Sequence, residues 1–249
     1  MARGRIDLLL VERGLFESRA KARAAIEAGR VLVDGVVVDR PAAAVAEDAV
    51  ISATPAHPWV GRAALKLDHA LDLWPVTVEG RRVLDLGAST GGFTEVALAR
   101  GALQVLAVDV GRGQLHPRLA ADPRVESLEA TDARSLEAAH LEAVGLIVCD
   151  VSFISLTKAL PVPLALAAVG TDLICLVKPQ FEAGPGQVGK GGVVKDAQVQ
   201  ARALADIVAF LEQSGWALMG QADSPIAGGD GNREFLVWAQ KSRPREAGG

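Results

Sequence analysis

The sequence predicts an α/β fold, a mostly parallel sheet with helices on both faces, preceded by a small α+β module. Three observations lead there. From residue 83 onward, short apolar runs that end in polar residues alternate with helical patterns. One such run, ending Val83-Leu84-Asp85-Leu86, passes through the small-residue loop Gly87-Ala88-Ser89-Thr90-Gly91-Gly92 into a helical stretch that starts at Phe93. The first fifty residues differ in kind, joining two helical patterns to two β-branched triplets around Asp34-Gly35.

At 249 residues, 50% hydrophobic and 22% charged, the chain has core material for one large domain or an ordinary domain plus a small one. No apolar run reaches the roughly 18 residues of a membrane span. The start, Met1-Ala2-Arg3-Gly4-Arg5-Ile6-Asp7, has no apolar signal region. Cys149 and Cys175 lie in apolar runs, which predicts buried thiols in a cytoplasmic protein rather than a disulfide or a metal site. Residues 1–30 carry seven basic and four acidic side chains within a chain of net charge −4. A basic end on an acidic body suits an anionic partner.

Taken in order, Ile6–Glu12 has helical spacing and stops at Gly14, and Ser18 caps a second helix, Arg19 to Ala28, which Gly29 ends. On that helix Arg19 and Arg23 lie one turn apart, with Ala20, Ala24 and Ile26 expected to face inward. Val31–Val33 and Val36–Val38 flank Asp34-Gly35, a pair suited to the positive φ angles of a type I′ turn. Ala49-Val50-Ile51 is expected to add a strand. Arg5-Ile6-Asp7, Ser18-Arg19, Ala22, Ile26, Gly29, Val31, Val33 and Gly35 together resemble the S4 RNA-binding domain over residues 4–52. The resemblance implies binding to structured RNA, mostly through phosphates, by Arg5, Arg19, Lys21, Arg23 and Arg30. A small helical cap on the larger domain is the plainer alternative. The domain is expected to span residues 1–56, with a linker to about 60 and a second domain over 61–245.

In the second domain, strands are expected at Val83–Leu86, Gln104–Val108, Val125–Leu128, Leu146–Cys149 and Leu173–Val177, with two more around Trp216–Gln221 and Phe235–Gln240. Helices are expected at Phe93–Arg100, over a mostly helical Leu156–Ala168, and at Gln198–Ser214. In such a sheet ligands bind beyond the carboxyl ends of the strands. That singles out the loop 87–92 with Phe93, then Asp109-Val110, Asp132-Ala133, Asp150 and Lys178. Gly87-x-x-x-Gly91-Gly92 lacks the dinucleotide spacing, and no Gly-Lys-Ser/Thr phosphate loop is present. The glycine loop and helix start suit a carboxylate, Asp109 a ribose, and Asp132 or its neighbours an adenine edge. A ligand with those three parts is S-adenosylmethionine. Either aspartate alone is equally well read as a loop cap.

Pro179 ends the last parallel strand and leaves Lys178 at the active edge. Lys66 opens the helix before the sheet, and Glu234 enters a late strand; each alone is more simply a surface charge. Together Lys66, Asp150, Lys178 and Glu234 reproduce the Lys-Asp-Lys-Glu order of the RrmJ/FtsJ-like ribose 2′-O-methyltransferases. With the S4-like module in front, the chain resembles the TlyA (haemolysin A-like) rRNA methyltransferases nearly end to end. Asp150-Val151-Ser152-Phe153-Ile154-Ser155-Leu156, Val177-Lys178-Pro179-Gln180-Phe181-Glu182 and Gly189-Lys190-Gly191-Gly192-Val193-Val194 carry the match.

The resemblance implies a Rossmann-like class I methyltransferase that moves a methyl from S-adenosylmethionine to a ribose 2′-hydroxyl of rRNA, with cytidine the family's usual target and no metal. The tetrad is then catalytic, with Lys178 nearest the hydroxyl, and Arg62 joins the RNA-binding set. The sequence departs from the family at Gly61-Arg62-Ala63, where Ser-Arg-Gly is usual, and at Asp132, where Asn is common. A non-catalytic ribosome-assembly protein and a membrane-active haemolysin are the alternatives from other classes. A nicotinamide-dependent oxidoreductase is disfavoured by the glycine spacing.

Overall fold

The computed structural model describes residues 2–184, 186–228 and 230–243. The chain divides after Pro58 into two compact units. The domain end expected near residue 245 lies outside the described residues.

The first unit runs β1 (Arg3–Arg5), α1 (Ile6–Glu12), α2 (Arg19–Glu27), β2 (Val31–Val33), β3 (Val36–Val37), β4 (Ala44–Ala46) and β5 (Ile51–Ala53). The Ser18 side chain accepts from the Lys21 amide and caps α2, as its sequence position predicts. Asp34 and Gly35 adopt φ of 50° and 82°, the type I′ geometry that closes the β2–β3 hairpin. The inward face of α2 is Ala22, Ala25 and Ile26, all 0% exposed. Ala20 is exposed and Ala24 only half-buried, so the expected inward pair is corrected by a rotation of the face. The strand expected at 49–51 instead begins at Ile51 and pairs antiparallel with β2. The β1–β4 pairing has no periodic signal in three-residue strands and was not expected.

The second unit is a seven-stranded sheet of order β11-β12-β10-β9-β6-β7-β8. Its strands are β6 (Arg82–Leu86), β7 (Gln104–Val108), β8 (Val125–Leu128), β9 (Val144–Cys149), β10 (Asp172–Val177), β11 (Trp216–Asp223) and β12 (Phe235–Lys241). The first five are parallel, and β12 and β11 add antiparallel at one side. Successive side chains point to opposite faces, and the core divides accordingly. Leu84, Leu106, Ile147 and Cys175 pack on one face, and Val83, Val105, Val148 and Ile174 on the other. The helices are α3 (Ala64–Leu73), α4 (Gly92–Ala99), α5 (Pro117–Ala120), α6 (Ala138–Leu141), α7 (Leu156–Ala159), α8 (Pro161–Leu166), α9 (Pro179–Glu182) and α10 (Ala197–Gln213). The single helical stretch expected over 156–168 is therefore two short helices, with Pro161 opening the second. Cys149 and Cys175 are register partners on β9 and β10, and burial pushes the Cys149 thiol up to about 12.

From β6 the chain steps outward through β7 and β8, then returns to the other side of β6 at β9. That reversal leaves a crevice at the carboxyl ends of β6 and β9, where ligands of such sheets bind. Among the described residues no helix is long and apolar enough to cross a membrane.

Candidate active site

Gly87 follows β6 at the crevice. Its φ is +84°, and a Cβ there would stand 3.0 Å from the backbone carbonyl of Asp150. Only glycine satisfies both the angle and the close approach. Gly91 caps α4 with φ +95°, and a Cβ there would meet Leu119 at 2.3 Å. The loop thus lies close against its neighbours and turns directly into α4, whose first residues, Gly92 and Phe93, border the second of the cavities described next.

Two cavities flank the loop. The first, of 320 Å³, is bordered by Gly87, Ser89, Asp109, Asp132, Asp150 and Phe153 among others. The second, of 170 Å³, continues under Ala88, Thr90, Gly92 and Phe93 to Asp150 and Lys178. Every residue expected to hold a cofactor except Gly91 borders one of them, including Val110 and Ala133. The Asp109 carboxylate accepts from the Ser89 amide at 2.8 Å and the Gly111 amide at 2.7 Å, which fixes it at the cavity wall with lone pairs to spare. The Asp132 carboxylate is forked against the Arg134 guanidinium, which holds it below the usual range, and Asp132 borders the first cavity beside Thr131 and Ala133.

A third cavity, of 390 Å³, is bordered by Lys66, Ser152, Phe153, Lys178 and Glu234. Here the expected tetrad resolves into two ion pairs. Lys66 Nζ donates to Glu234 Oε2 at 2.6 Å across 168 residues of chain. Lys178 Nζ lies 2.6 Å from Asp150 Oδ1, at an angle that makes a charge contact rather than a hydrogen bond. Lys66, Lys178 and Glu234 are 7%, 6% and 3% exposed. Buried charges persist only when paired, so these are not the surface charges that each would be alone.

In the first unit the arginines are partly committed. Asp7 is 0% exposed and takes Arg5 at 3.0 Å and Arg19 at 2.8 Å, which holds its carboxyl down at about 2. Lys21 pairs with Glu17 and Arg23 with Glu27 on α2, while Arg30 is exposed. In the second unit Arg62 is exposed and reaches the Ala227 carbonyl at 3.4 Å.

Three residues the sequence reading did not single out matter here. Ser152 accepts from Lys178 Nζ at 2.8 Å. Glu182 accepts from Ser155 Oγ at 2.5 Å and the Leu156 amide at 2.9 Å. Asp85 is buried beneath the loop, takes a hydrogen bond from Thr94 Oγ1 at 2.6 Å and is pushed up to about 7 by burial. The first two sit inside quoted motifs, and their partners only become neighbours through the parallel pairing of β9 with β10.

The FtsJ-like methyltransferase family model matches residues 59–241 and the S4 domain model residues 4–51. The chain is 46% identical to the 16S/23S rRNA (cytidine-2′-O)-methyltransferase TlyA of Mycobacterium tuberculosis, over 98% of this chain and 92% of that protein. It is 38% identical to Hemolysin A of Brachyspira hyodysenteriae, over 94% of this chain and 98% of the relative. A solved protein of Streptococcus thermophilus named for hemolysin superposes with a TM-score of 0.76 at 38% identity, covering 97% of this chain and 90% of that one. The chain belongs to the FtsJ-like methyltransferase family, in its TlyA branch, and carries an S4 domain at its N-terminal end.

Proposed function

We propose that this protein transfers a methyl group from S-adenosylmethionine to a ribose 2′-hydroxyl of ribosomal RNA, at a cytidine. One observation carries the reading. Lys178, paired with Asp150, borders both the second loop cavity and the cavity bordered by Lys66 and Glu234. The residues present suit the cofactor. Gly87 lets the loop approach the Asp150 backbone, Asp109 borders the first cavity, and Ala88, Thr90, Gly92 and Phe93 border the second together with Lys178.

Bound S-adenosylmethionine supplies an electrophilic methyl whose S–C electron pair leaves with sulfur. What remains is a weakly acidic hydroxyl that needs alignment and a proton acceptor. Lys178 is assigned to that hydroxyl. With Lys178 entering the step as the free amine, the O–H bond breaks as the oxygen takes the methyl, and the proton ends on the Nζ lone pair, leaving the ammonium beside Asp150. Lys66, paired with Glu234, borders the same cavity. Asp150 and Glu234 orient the two lysines. Gly87–Phe93 are assigned to the methionine part, Asp109-Val110 to the ribose and Asp132-Ala133 to the adenine edge. Arg5, Arg19, Lys21, Arg23, Arg30 and Arg62 are assigned to RNA phosphates, where they position rather than specify. The domains so assigned are residues 1–56 and 61–245, the protein acting in the cytoplasm with the ribosome.

Mapping 2′-O-methylated nucleotides in ribosomes from cells with and without the gene tests this. A cytidine methylated only when the gene is present supports the reading, and identical maps refute it.

A further inference from the structure

Among the described residues, Ser152 borders all three cavities of the cleft. Its hydroxyl lies 2.8 Å from Lys178 Nζ, beside Asp150 Oδ1 at 2.6 Å and the Asp150 carbonyl at 3.4 Å. An ammonium has three N–H donors; here Ser152 Oγ and the Asp150 carbonyl accept from it, and the Asp150 carboxylate is in charge contact. The carboxylate and the carbonyl only accept. A free amine keeps two N–H donors and gains a lone pair, and of the three groups only the Ser152 hydroxyl can also donate to that lone pair.

The loop that carries Ser152 is fixed at both ends. β9 pairs with β6 and β10 up to Cys149. At the far end, half-buried Glu182 holds Ser155 and the first amide of α7, tying the loop to the segment that follows Lys178. Between them Phe153 adopts φ +64°, a strained angle for a bulky residue. The loop is thereby constrained to present Ser152 and Asp150 on the Lys178 side.

We propose that Ser152 is a positioning residue for the methyl transfer, fixing Lys178 Nζ at the two cavities that Lys178 borders and keeping a partner for it in both protonation states. The inference rests on the assignment of Lys178 to the ribose hydroxyl. Its test is made on the full chain labelled with ¹⁵N-lysine, the Lys178 signal being identified by its loss in Lys178→Met. In Ser152→Ala, exchange of the Lys178 Nζ protons with water is expected to speed up by about fivefold or more. Ser152→Thr, which keeps the hydroxyl, restores it. In parallel kcat falls about tenfold or more in Ser152→Ala and recovers in Ser152→Thr, while the Kd for S-adenosylmethionine stays within about threefold. Unchanged exchange and kcat in Ser152→Ala overturn the inference, as does a Ser152→Thr variant as impaired as Ser152→Ala. If the wild type transfers no methyl, the assignment of the site fails. The exchange measurement then still decides whether Ser152 holds Lys178.

Discussion

Asp85 lies in the middle of the sheet with one oxygen bonded to Thr94 Oγ1 and no donor for the other. Burial pushes its carboxyl up to about 7, and the charges of Asp150 and Asp109 add to the shift. A raised carboxyl stabilises the fold fully below its ordinary value near 4, and that stability is lost as pH rises through about 7. Asp85→Asn removes the charge and keeps the acceptor for Thr94. The melting temperature of the wild type relative to Asp85→Asn is therefore expected to fall between pH 5 and pH 8, each pH unit being worth about 1.4 kcal/mol at most. Parallel melting curves across that range would show that Asp85 is not titrating there. Gly87 gives a second prediction at this scale. Gly87→Ala forces a side chain onto φ +84° and into the Asp150 carbonyl. Cofactor affinity by calorimetry is expected to fall about tenfold or more, and affinity equal to wild type would contradict the close-packed loop.

Among elements, the parallel strands were legible because burial on both faces makes continuous apolar runs, and each run ends at the polar residue the site uses. Asp109, Asp150 and Lys178 could be picked out in this way. Helix α2 was legible from Ser18 and Gly29, yet its inward face was not, since Ala20, Ala22, Ala24 and Ala25 are chemically alike. The β1–β4 pair and the break at Pro161 were hidden because three-residue strands and four-residue helices carry no period. The site was legible as a set of residues but not as two ion pairs. Lys66 meets Glu234, and Lys178 meets Asp150, only through the strand order. Ser152 and Glu182 were hidden for the same reason, as partners across β9 and β10 rather than along the chain.

The molecule as a whole joins a unit of balanced charge, its basic excess confined to residues 1–30, to an acidic one, with net charge −4 overall. In the first unit Asp7 holds Arg5 and Arg19 together. In the proposed function their remaining guanidinium donors serve RNA phosphates, with Asp7 holding the two side chains before RNA arrives. Arg19→Ala is expected to weaken rRNA binding and to reduce the slope of log K against log salt by about 1, while S-adenosylmethionine affinity is unchanged. An unchanged salt slope would remove Arg19 from the phosphate-binding set. The central claim joins this RNA-binding unit to a cleft in which Lys178 takes the proton of a ribose hydroxyl. Its most direct test is transfer of labelled methyl from S-adenosylmethionine to ribosomal subunits and rRNA, followed by digestion to nucleosides. The account predicts 2′-O-methylcytidine from the wild type and a loss of about a hundredfold or more in Lys178→Met with cofactor binding unchanged. Label on a base, no label at all, or full turnover by Lys178→Met would contradict it.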